Sequence, residues 1–209
     1  MTTKLDAVND VMRRLGKLPI TALDTGGDST QGQVERIIDD SAKRVMRDGW
    51  AWNTKYDVEV TPDVSTNKVQ INQLEPVGDG SYYEIYHVDT YGESKYINVM
   101  RSGNFLYDLD ENQDTFGDYS KLKLKYVYER AFTEIPPQFV DWIVSVSAYN
   151  YNRQFVKDND LDQALAIEMS KSKVSAMREE LRADDTNVLG TAEMKQIRGR
   201  PRMQNRSIH

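Results

Sequence analysis

Cysteine is absent from this 209-residue chain, and histidine occurs twice, at His87 and at the final position, His209. Without cysteine there is no disulfide, no thiolate nucleophile and no cysteine-held zinc or iron–sulfur cluster. With so few histidines, a histidine-rich metal site or a Ser-His-Asp triad has almost nothing to draw on. No run of about 18 apolar residues occurs, which excludes a membrane-spanning helix. The polar opening Met1-Thr2-Thr3-Lys4-Leu5-Asp6 lacks the apolar core of a secretion signal. Walker A, GxGxxG, GxSxG and HExxH patterns are also missing. Most enzyme chemistry is therefore disfavoured, and neither a cofactor nor a metal is expected.

What is present is charge, unevenly distributed. Hydrophobic residues make up 39% of the chain and charged residues 29%, an ordinary balance for a soluble fold. The last fifteen residues hold five of the 27 basic residues and no acid. Positions 1–194 are left with 22 basic residues against 33 acidic ones, a net charge of −11. An acidic body does not wrap the outside of DNA, because neutralising phosphates takes a basic face. It suits a passage through which DNA slides without sticking. The cations Lys195, Arg198, Arg200, Arg202 and Arg206, interrupted by Gly199 and Pro201, read as an extended arm that orders on a partner, or as a solubilising tail.

The apolar pattern divides the chain. Leu5, Val8, Val11, Met12 and Leu15 recur at helical spacing, with Gly16 and Pro19 as a stop. After a polar turn from Asp24 to Ser29, Thr30 and Gln33 form a capping-box pattern. Val34, Ile37, Ile38, Ala42, Val45 and Met46 make the second stripe, closing at Gly49. Alternation then takes over at Tyr56-Val58-Val60 and at Val69 and Ile71. Nine of the twelve tyrosines fall between 82 and 128. Short β-rich runs appear at Tyr83–Val88, Tyr96–Val99, Asn104–Tyr107 and Leu122–Tyr128. In Lys121–Tyr126 the lysines and apolar residues take opposite faces, as in an antiparallel sheet with one wet side. Trp50 and Trp52, pointing the same way from a strand, suggest a buried hinge between helix and sheet more than a platform for stacking bases.

Helix returns at Pro136-Pro137, with a broad apolar surface from Phe139 through Trp142 and Ile143 to Phe155. A turn at Asp158-Asn159 leads to a helix capped by Asp160 with Gln163. Its stripe is Leu161, Leu165, Met169, Ala176, Met177 and Leu181, and a run from 161 to 183 spans roughly 34 Å. The expected fold is α+β, with N- and C-terminal helix pairs forming a bundle and an antiparallel β-rich region inserted between them. The expected units are a helix pair over 1–50, the β-rich region over 51–132, a second helix pair over 133–184 and the basic arm over 185–209.

One acidic run invites two chemical readings. Asp108-Leu109-Asp110-Glu111-Asn112-Gln113-Asp114 alternates acids and amides like a calcium loop. It has Gln113 where the turn needs glycine and Tyr119 where a bidentate glutamate belongs. A solvated hairpin loop is the expectation. The Tyr107–Asp108–Asp110 neighbourhood is the one faint candidate for a glycan-cleaving carboxylate pair.

Four stretches together resemble one family. Ala7–Met12 followed by Leu15-Gly16-Lys17-Leu18-Pro19-Ile20-Thr21-Ala22-Leu23 is similar to the opening of tail tubular protein A of short-tailed phages. Gly49-Trp50-Ala51-Trp52-Asn53-Thr54 resembles that family's Gly-Trp-aromatic-Asn signature, and Gly103–Asp108, with Tyr107 and Asp108, its hairpin element. Glu134-Ile135-Pro136, leading into Trp142-Ile143-Val144 and Asn152–Phe155, resembles its Met-Pro turn and third helix. The four occur in the family's order over residues 7–155, and the C-terminal region departs from the pattern.

The resemblance implies a structural virion protein, not an enzyme: an adaptor or gatekeeper between portal protein and tail nozzle. It implies a homo-oligomeric ring, a dodecamer, with genomic DNA passing through the lumen and tail fibres or spikes held nearby. It also implies synthesis in the bacterial cytoplasm, with no membrane partner. The competing readings are a virion glycan depolymerase and a nucleic-acid-binding module using the basic arm.

Overall fold

The computed structural model describes residues 2–24, 29–70, 82–90, 97–117, 119 and 122–190, with side chains described for these except at 57, 82–90 and 183–190. Helix α1, Lys4–Arg14, starts at a reciprocal cap. The Thr3 hydroxyl accepts from the Asp6 amide at 3.1 Å, and the Asp6 carboxylate accepts from the Thr3 amide at 2.9 Å. It stops where Gly16 enters the left-handed region at φ 68°. There Lys17 N–H reaches back to the Met12 carbonyl at 2.8 Å, and Gly16 N–H to that of Arg13 at 3.0 Å. The chain beyond is clamped to the helix by Asn9, whose side chain both donates to and accepts from the Ile20 backbone at 3.1 and 2.7 Å.

Helix α2, Thr30–Arg47, is capped by Ser29, whose hydroxyl accepts from Gly32 N–H at 3.2 Å. The expected Thr30–Gln33 box is thus replaced by a one-way cap from Ser29, since Gly32 at the third position has no side chain to reciprocate. Ser29 is free of the helix and can turn its oxygen inward, whereas Thr30 is already helical. Val34, Ile38, Ala42, Val45 and Met46 are buried, with Ile37 at the margin. The expected turn at 24–29 includes residues 25–28, outside the described residues.

A single 3-10 turn, Ala51–Asn53, leads into β1, Thr54–Val60. Trp50 and Trp52 therefore sit at the edge of a turn and not on a strand, yet both rings lie against Phe139, with centroids 4.9 and 5.3 Å away. Strands β2, Tyr82–Thr90, and β5, Leu122–Tyr128, complete an antiparallel sheet in the order β1-β5-β2. Val58 pairs with Leu124, and Ile85 with Tyr126. Strands β3, Val99–Ser102, and β4, Phe105–Asp108, form a separate hairpin across Gly103-Asn104. The expected strand at Val69–Ile71 reduces to one bridge, Gln70 to Phe105. Ile71, Tyr96 and Lys121 lie outside the described residues, and the described part of the Tyr96–Val99 run becomes strand at Val99.

Alternation on β5 separates two cores. Leu122, Leu124, Tyr126 and Tyr128 face the sheet core with Val60, Val69, Ile97, Val99, Leu106 and Phe116. Lys123 and Lys125 keep the half-exposed side. Near the end of the strand Val127, buried, turns toward Gly49 at the close of α2.

Helix α3, Pro137–Tyr151, is central: it packs on α1, on α2 and on the final helix. Phe139, Val140, Trp142, Ile143, Val144 and Ala148 are buried along it. Burial on several sides explains an apolar surface too wide for a helix lying on the outside of a protein. A π-type turn, Asn152–Val156, and Lys157 at φ 60° reverse the chain into α4, Asn159–Gly190. The cap is Asp158 and not Asp160: its carboxylate accepts from the amides of Asp160 and Leu161, both at 3.0 Å. At 32 residues α4 is roughly 48 Å long. Residues 185–190, expected in the extended arm, are helical. Phe155, expected on the buried surface, is 48% exposed.

Candidate assembly surface

The motif residues are mostly builders of the seam between bundle and sheet. Asn53 is fully buried; its amide donates to the Met46 carbonyl at 2.8 Å and to the Tyr128 carbonyl at 3.2 Å. Its oxygen accepts from Trp50 N–H at 2.8 Å. The Trp50 indole N–H donates to the Val45 carbonyl at 2.6 Å, and its ring meets that of Trp142 edge-on at 5.8 Å. Gly49, at φ 74°, leaves no room for a side chain: a Cβ there would lie 2.8 Å from Val127 Cγ2. Arg130 braces the same seam, donating to the Trp52 carbonyl at 2.8 Å and to the Tyr128 hydroxyl at 2.5 Å. Sequence reading missed Arg130, which belongs to no pattern and is recognised only by its partners. Gly16 and Pro19 end α1 and start the loop that Asn9 holds, and Pro136 precedes the first turn of α3.

The acidic run behaves as a turn. Asp108 is buried, and its carboxylate accepts from the amides of Asp110 and Glu111 at 2.8 and 3.0 Å. Its backbone exchanges hydrogen bonds with Gln113, and the Tyr107 hydroxyl donates to Asn112 at 2.7 Å. A carboxylate spent on backbone amides shapes a loop and is poorly placed to attack a sugar. Among the described residues no group of three or more acidic or histidine side chains is arranged to hold a metal ion.

Helix α4 carries several exposed apolar side chains. One turn every 3.6 residues places Leu165, Ser172 and Ala176 on the side facing α3, all buried. The expected stripe splits here. Met177 and Leu181 are 43% and 64% exposed, and Ile167 and Val174 join them at 58% and 47%. Ile167, Val174 and Leu181, spaced by seven, fall within about 40° of arc on the side opposite the core. A recess of about 580 Å³ runs along this face, lined by Ala166, Ile167, Ser170, Lys171, Val174 and Arg178. The helix thus carries two apolar stripes, one satisfied inside the chain and one left outside.

Lys171 and Arg178 lie beside the outer stripe, and Asp160, seven residues before Ile167, falls on the same side of the helix. Two acids of α4 turn back toward the body: Glu168 meets Arg14 at 3.2 Å, and Glu180 accepts from Ala51 N–H at 2.6 Å. Arg14 also donates to Ser145 at 2.5 Å and to Asp141 at 2.6 Å, so one guanidinium joins α1, α3 and α4. A second recess, of about 300 Å³, lies between the α1–α2 pair and the β5–α3 connection. It mixes Lys4, Asp39, Lys43, Glu129 and Arg130 and has no single sign. The arm cations Lys195, Arg198, Arg200, Arg202 and Arg206 lie outside the described residues.

No curated protein matches the chain. The tail tubular protein family (Tube) does, over residues 5–186, which runs from the first turn of α1 to within four residues of the end of α4 and takes in both sheets. The match runs far beyond the four short motifs, into the α4 region where the resemblance fades, and the chain belongs to the tail tubular protein family, structural components of phage tails.

Proposed function

We propose that this tail protein is the head-to-tail adaptor: a ring, twelve-membered in the reading the resemblance suggests, seated between portal protein and tail nozzle. The observation that carries it is the outer stripe of α4, an apolar face that none of the described residues covers. Patches of this kind on a soluble chain mark places where another surface sits. Ring closure needs a heterologous contact repeated by rotation, and a long helix with an uncovered face offers it.

The net charge of −11 over residues 1–194 fits a lumen through which genomic DNA passes without strong phosphate pairing. The division into two helix pairs, a β-rich region and a basic arm gives separate surfaces for portal, nozzle and a tail fibre or spike. In this reading the chain is made in the bacterial cytoplasm and works in the virion. The basic arm, residues 195–209, docks on portal or on a neighbouring subunit through charge pairs.

Light scattering after size-exclusion chromatography tests the assembly. The chain mixed with portal and nozzle proteins is expected to elute as a multi-subunit complex. A chain that stays monomeric both alone and with those partners would sink the proposal. Truncation at Gln196 is expected to weaken docking in a salt-sensitive way while the body keeps its fold. Equal docking of truncated and full-length chains at every salt concentration would reduce the arm to a solvated tail.

A further inference from the structure

We draw no further inference here: the strongest candidate, the outer apolar stripe of α4 at Ile167, Val174 and Leu181 with the recess along it, carries nothing further, because nothing in the structure shows what covers it and Lys171 and Arg178 share that side of the helix with Asp160, so that charge selects no occupant.

Discussion

Asn53 donates from one amide nitrogen to the carbonyls of Met46 and Tyr128, at 2.8 and 3.2 Å, and so joins the end of α2 to the end of β5. The Met46 carbonyl also accepts from Gly49 N–H at 3.1 Å, and the Asn53 side chain is fully buried. Replacing Asn53 by Ala removes three buried hydrogen bonds, those to the Met46 and Tyr128 carbonyls and that from the Trp50 amide. The expected loss is about 2–4 kcal/mol, a fall in Tm of about 5–10 °C for a chain of this size. Asn53→Asp is expected to do no better, since a carboxylate would face two carbonyl oxygens. A Tm within a degree of wild type for Asn53→Ala would show that the seam is held by other contacts.

Two glycines separate backbone strain from crowding. Gly16 and Gly49 both have positive φ, at 68° and 74°, but only Gly49 has a neighbour where a Cβ would go. Gly16→Ala is expected to cost about 1 kcal/mol, the price of a left-handed alanine. Gly49→Ala adds the collision with Val127 and is expected to cost clearly more. Val127→Ala opens that space, so the Gly49→Ala/Val127→Ala double variant is expected to lose less than the sum of the singles by at least about 0.5 kcal/mol. Strict additivity in urea melts would show that the backbone relaxes around the added methyl.

Arg14 meets Ser145, Asp141 and Glu168 with a side chain only 19% exposed. An ammonium cannot reach three partners arranged for a planar fork. Arg14→Lys is therefore expected to lower stability by about 1–2 kcal/mol, read as a shift of the urea midpoint at constant slope. A lysine variant matching wild type would mean that the contacts at this helix junction are surface pairs of little consequence.

Asp63 offers a pH test. Its carboxylate accepts from the Ser65 hydroxyl at 2.5 Å and from the Thr66 and Ser65 amides, each at 2.9 Å. Led by the Ser65 hydroxyl, these bonds hold its pKa down, from 3.8 to about 2. A depressed folded-state pKa means that the turn's extra stability is present above the ordinary value and is lost as pH falls from about 4 through about 2. Carbon-detected NMR of the Asp63 carboxyl is expected to show a midpoint near the lower value, with the amides of Ser65 and Thr66 shifting alongside. A midpoint near 4 would mean that the turn does not persist in solution.

Helix positions were legible because each helix buries a stripe, and stripes repeat with a period the sequence displays. Their ends were less so. Ser29 beside Thr30, and Asp158 near Asp160, offer nearly equivalent cap chemistry, and only the last non-helical residue can turn its oxygen back. The Thr3–Asp6 box went unread because two polar residues before a stripe look like any polar opening. Helix α4 shows the deeper limit. Leu165, Ala176 and Leu181 are all apolar, yet the first two face α3 and the third faces outward, and only the packing partner tells them apart. Ile167 and Val174 are silent for the same reason: they form a second stripe, and periodicity alone does not say which stripe a neighbour covers. The seam is legible at Gly49 and Asn53, whose residue types are unusual for their places, and silent at Arg130.

The two apolar cores share no residue, and the chain crosses between them at a seam made chiefly of Met46, Gly49, Asn53, Tyr128 and Arg130. Among the described residues, a substitution inside the β layer reaches the helices chiefly through that handful of positions and Val127 beside them. Descendants of such a chain can rebuild one half, lengthen its loops or exchange its hairpin while the other half goes on assembling unchanged. What lineage cannot freely alter is the seam, where every change is felt on both sides at once.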